Sequence, residues 1–165
     1  MWSKGDGGLV KLYPQYAYWD VAPNSAEMLL VAGAMVIFAG LTWLMTGSPF
    51  GLVFSGKLAC AILVANIVHD VYRHLFRDAE RTKAMKTTVS GIPWVAAVLE
   101  SSLIRMASEG GRVIGILERG EAYVLGKRFD WFTGRAGKAP QMEERKNTLQ
   151  RFSMVMVLMA IATLY

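Results

Sequence analysis

The chain has 165 residues, 53% of them hydrophobic and only 19% charged, with a formal net charge of +5. That length bounds it to one compact unit, and a mean hydropathy of +0.30 with the surplus gathered into three blocks argues against an ordinary soluble domain. A single cysteine, Cys60, excludes an internal disulfide.

Residues 1–23 read as a polar and aromatic tail. Tyr13, Tyr16, Tyr18 and Trp19 precede the first apolar run, where aromatic residues belong at a membrane boundary or at a protein interface. The segment lacks both the apolar core of a secretory signal and the Arg-rich composition of an organelle presequence. A cleavable signal is therefore expected to be absent or already removed, and the first apolar helix could itself direct insertion.

Residues 24–76 form the organising stretch. No charge occurs from Met28 to Gly56, too long a run for one crossing, since about twenty helical residues span a hydrocarbon core. Gly47-Ser48-Pro49 breaks it near the middle. Asn24 and Glu27 have the spacing of a reciprocal helix-start box. Gly47 suits a left-handed stop, Ser48 a new N-cap and Pro49 a first helical position. The reading is a transmembrane helical hairpin with spans at about 26–46 and 50–72. Small residues recur every seven positions in the first helix (Ala26, Gly33, Gly40, Gly47) and every four in the second (Gly51, Ser55, Ala59). In lipid, helices associate by close backbone approach, so both rows are expected to pack.

Residues 77–139 form a basic extramembrane segment. Within it, 92–107 has apolar residues at helical spacing interrupted by Glu100 and Arg105. That pattern predicts an amphipathic helix lying along the bilayer or on a neighbour, not another span. Gly110 and Gly111 are expected to end it. Two short apolar runs about a Gly-containing turn then predict a β-hairpin over 112–127, with a helix as the rival. Residues 140–165 open on Pro140 and are uncharged from Phe152 to Tyr165. This is a third span if Tyr165 reaches the far headgroups and Arg151 snorkels at the near side. The fold class expected is mainly α and integral to a membrane. A tight hairpin and a C-terminal transmembrane helix flank an interfacial amphipathic helix and the β-hairpin.

Charge sets the expected topology. Between Asp70 and Arg151 there are fifteen Lys or Arg against ten Asp or Glu, and the hairpin tip has none. The positive-inside bias then puts the N-terminus and the basic segment on the matrix or cytoplasmic side.

Candidate chemistry is sparse. Gly51 to Lys57 has phosphate-loop spacing, but Leu58 stands where Ser or Thr would hold magnesium and no strand precedes it. Lys57 is a charge within a span, with Asn66 deeper on the same helix; together they are the polar groups a carrier or channel path would use. His69 and His74, five residues apart, do not share a helix face and predict no joint metal or haem site. His69 and Asp70 at the membrane boundary are the only place for a lipid enzyme, yet no nucleophile accompanies them at a defined spacing. No catalytic, metal or cofactor site is expected.

Lys57, Arg73, Arg77, Arg81, Lys127, Arg128, Trp131 and Arg135 are instead expected to meet partner proteins or an anionic phospholipid such as cardiolipin. The basic-aromatic stretch 127–138 would suit nucleic acid less well than lipid in an anchored chain. The expectation is a non-catalytic accessory subunit of a larger membrane complex, most specifically an energy-transducing one of the mitochondrial inner membrane.

Overall fold

The computed structural model describes residues 2–78, 80, 89–132, 135 and 139–164. It is mainly helical. The elements are α1 (Trp2–Leu12), β1 (Ala17–Trp19), α2 (Ser25–Thr46), α3 (Phe50–Tyr72), α4 (Ile92–Glu118), β2 (Lys127–Phe129) and α5 (Ala139–Leu164). Three helical stretches are long and apolar enough to cross a membrane: Ser25–Thr46, Phe50–Arg77 and Ala139–Leu164.

The hairpin follows from local chemistry. Asn24 Oδ1 accepts from the Glu27 N–H while Glu27 Oε2 accepts from the Asn24 N–H, both at 2.9 Å. Two first-turn donors are thereby satisfied. At the other end of α2, Gly47 takes φ 70° and donates to the Trp43 carbonyl at 2.7 Å. A β-carbon is disfavoured in that left-handed conformation. Pro49 is the N-cap of α3 rather than its first helical residue, so α3 starts one position later than the sequence suggests. At its far end the last turn widens into a π-turn over Arg73–Arg77, closed by the Asp78 N–H on the Arg73 carbonyl at 2.8 Å.

Helix α3 is the central member, packing on α2 along one side and on α5 along another. Met28, Ala32, Ala61, Ile62, Ala65, Val155 and Met159 form their shared core. Of the predicted small-residue rows, the second lies in this seam. Ser55 is buried, Ala59 packs against the core, and a β-carbon at Gly51 would lie 2.9 Å from that of Ala39. Gly33 and Gly40 face open space. A strict seven-residue row drifts about 20° per repeat around a straight helix, and the face that meets α3 is the one carrying Met28, Ala32 and Ala39.

Two further expectations are corrected. The β-hairpin over 112–127 does not form: α4 is a single helix through Gly110 and Gly111 to Glu118. Each internal glycine costs about 1 kcal/mol of helix propensity, but α1 lies across this stretch and tertiary contact prevails. Gly115 admits the Lys4 backbone so closely that any β-carbon would collide with it. Val10, Ile116 and Val124 make a second small core there. The N-terminal segment is likewise no tail. Its α1 is docked on α4, and its β1 pairs antiparallel with β2, with Ala17 opposite Phe129 and Trp19 opposite Lys127. That strand pairing bridges more than a hundred residues.

A candidate polar junction at the foot of the hairpin

At the foot of the hairpin, where α2 begins and α3 ends, the interior turns from apolar to ionic. Two networks meet there. The first centres on Glu27. Arg128 Nη1 and Nη2 donate to its two carboxylate oxygens, each at 2.9 Å, and the Gly126 N–H adds a third bond at 2.9 Å. Arg128 is itself buried, with Asp20 Oδ2 at 3.4 Å from its Nε. Burial opposes the guanidinium charge, but the bonds and charge of Glu27 outweigh it and raise the Arg128 pKa. Burial also pushes the Asp20 carboxyl above its ordinary value. A paired, bidentate geometry of this kind is what makes a buried ion pair tolerable.

The second network runs from α3 to α4. Ser102 Oγ donates to Asp70 Oδ2 at 2.7 Å, and Arg105 Nε and Nη2 donate to the same oxygen at 3.2 and 2.9 Å. Arg105 Nη2 also donates to Asn66 Oδ1 at 2.7 Å and Nη1 to Glu109 Oε1 at 2.8 Å. Glu109 Oε2 accepts from the Ser25 N–H at 3.1 Å, and Ser25 Oγ donates to Asn66 Oδ1 at 2.6 Å. Helices α2, α3 and α4 are thus fastened by one chain of polar contacts. His69 lies fully buried, its ring nitrogens 3.1 Å from Asp70 Oδ1 and 3.3 Å from Gln150 Oε1 of α5.

The networks assign structural partners to most of the predicted site residues. Asn66 is tied to Ser25, Arg105 and the Ile62 carbonyl. Lys57 donates to the Ala162 carbonyl at 2.6 Å, in the last turn of α5, where carbonyls lack intrahelical partners. Lys57 and Asn66 are nine residues apart on α3, about 13.5 Å along the axis, and each has its own partners. Arg73 pairs with Asp78 and Glu143, and Arg77 pairs with Asp78 and donates to Gln150. Lys127 sits over the Trp19 ring at 5.1 Å. Arg128, expected to meet lipid or a partner, is instead sealed inside by Glu27 and Asp20. Trp131 and Arg135 are exposed, and Trp131 stacks edge-on against Phe129. Arg81 and Tyr165 lie outside the described residues. Among those described, no cluster of three or more His, Cys, Asp or Glu has the geometry to hold a metal.

Sequence reasoning missed Ser102, Arg105 and Glu109. The signal was present: with Arg112 they recur at three- and four-residue spacing, which draws a polar stripe along α4. That stripe faces the hairpin, while Ile92, Val95, Leu99, Leu103 and Ile104 point outward, Ile92 at 86% exposure. The helix is inside-out relative to one packed in water.

Comparison with known proteins returns no matching family model, no matching curated protein and no matching solved structure.

Proposed function

We propose that the chain is a non-catalytic, membrane-embedded accessory subunit of a larger membrane protein complex. The observation that carries this reading is the inverted distribution of polarity. The ionisable groups at the foot of the hairpin turn inward and bond to one another, whereas Ile37, Phe38 and Met45 of α2 are 70%, 69% and 86% exposed. A bilayer satisfies such an exterior. Polar networks whose members are occupied by one another serve to fix helices and leave little free for turnover.

A protein partner is supported from a different surface. Tyr13, Tyr16, Trp131 and Phe132 are exposed around the β1–β2 pair, where Tyr13, Tyr16 and Trp131 each abut the ring of Phe129. Aromatic residues of this kind are enriched at protein interfaces. The specific host proposed is an energy-transducing complex of the mitochondrial inner membrane, with the basic segment on the matrix side; the one-sided charge of the sequence supports the orientation.

Purification in a gentle detergent followed by mass spectrometry of co-migrating chains tests the proposal. A fixed set of membrane subunits at constant ratio is expected. A well-folded monomer that brings no constant partner contradicts it.

A further inference from the structure

A cleft of about 650 Å³ opens between α4, the first half of α5 and the π-turn that follows α3. Four arginines line it: Arg73, Arg105, Arg112 and Arg151. Each carboxylate that lines it already has a partner: Glu143 accepts from Arg73, Glu109 from Arg105, and Glu144 from the Tyr18 hydroxyl. Arg112 and Arg151 form no ion pair among the described residues. The Nε atoms of both are buried without a hydrogen-bond partner, as is Oδ1 of Asn147 beside them. Arg151 is only 6% exposed, and its one hydrogen bond among the described residues is a 3.5 Å approach of Nη2 to the Thr148 hydroxyl.

A buried guanidinium with no carboxylate within ion-pair distance is costly, and Glu109, Asp70 and Glu144 reach Arg151 only through longer-range attraction. In the same protein, 23 positions earlier in the chain, Arg128 has two carboxylates. We propose that this cleft is a phosphate-binding site and that an external phosphate group supplies the counter-charge missing at Arg112 and Arg151. Guanidinium forks match phosphate oxygens bidentately, and both arginines line the cleft. The volume exceeds what a lone phosphate fills and suits a phosphorylated headgroup or metabolite; Phe132 and Pro140 give it an apolar wall. The site also lies at the boundary between the charged and uncharged halves of α5, where Phe152 begins the run without charge. This inference does not depend on the subunit reading, since it concerns the isolated chain.

Thermal unfolding of the full chain in neutral detergent tests it, with two probes. One arm adds phosphatidylglycerol, with phosphatidylcholine as control; the other adds inorganic phosphate, with chloride at equal ionic strength. A saturating ligand is expected to raise the midpoint by about 5 °C. A rise with phosphatidylglycerol alone assigns the site to a lipid headgroup, and a rise with phosphate assigns it to a soluble phosphate; either supports the site. The rise is expected to fall at least threefold in Arg112→Gln and in Arg151→Met. Arg112 is only half-buried, so Arg112→Gln keeps the test valid should Arg151→Met fail to fold. No rise with either probe, or a rise that survives Arg112→Gln undiminished, overturns the proposal.

Discussion

The shaft of the hairpin and its foot are built on opposite rules. In the shaft, α2 and α3 meet through small side chains and leave large apolar ones outside. In the membrane-embedded subunit we propose, dispersion and close approach hold them, because lipid is as apolar as leucine and exerts no hydrophobic drive between helices. At the foot, the same helices are held by Glu27, Asp70 and Asn66, with arginines brought from β2 and α4. The lesson is a division of labour: shape fixes the shaft, and charge fixes the register of everything attached to it.

The sharpest way to break this comparison is at Glu27. Glu27→Ala removes the bidentate partner of a buried arginine and half of a helix-start box at once. A loss of about 3–5 kcal/mol is expected, by the cost of breaking a buried ion pair, with only the longer Asp20 contact left to Arg128, and unfolding in detergent measures it. Ile37→Lys acts on the shaft instead. It adds nothing to the interior, yet a lysine at the centre of a span costs about 2.5–3.5 kcal/mol of insertion. A glycosylation-based insertion assay is expected to show that loss, whereas a water-exposed α2 would insert or fold no differently. Gly51→Leu presses a large side chain into Ala39. Overpacking of about 1–3 kcal/mol is expected, read as a lower unfolding midpoint, while the same change at Gly33, which faces open space, leaves the midpoint in place. Smallest of all, Arg135→Gln on the exposed loop is expected to change stability by less than about 0.5 kcal/mol.

The parts legible in the sequence were those fixed by neighbours along the chain. Asn24, Glu27, Gly47 and Pro49 mark the hairpin because caps and turns act within four residues. The amphipathic pattern of 92–107 was visible for the same reason, although which face turned inward was not. A polar stripe on a helix is ordinarily the wet side, and only the arrival of Asp70 and Asn66 from α3 makes it the packed one. Residues 110–127 misled because Gly110 and Gly111 are helix breakers by propensity, and the helix α1 that packs on the turns just after them, at Gly115 and Ile116, lies a hundred residues upstream. Arg128 showed the same limit: as a residue type it suits an anionic surface, but its partners, Asp20 and Glu27, are remote in sequence.

Cys60 offers the most direct test of the inverted polarity on which the rest depends. It is the sole cysteine and lies exposed on the outer face of α3, so its surroundings report whether that face meets lipid or water. In membrane vesicles, opened so that both sides are reachable, a membrane-impermeant maleimide is expected to leave Cys60 unlabelled until the protein is unfolded in dodecyl sulfate. Rapid labelling of the folded chain from water would show that the shaft is not in lipid.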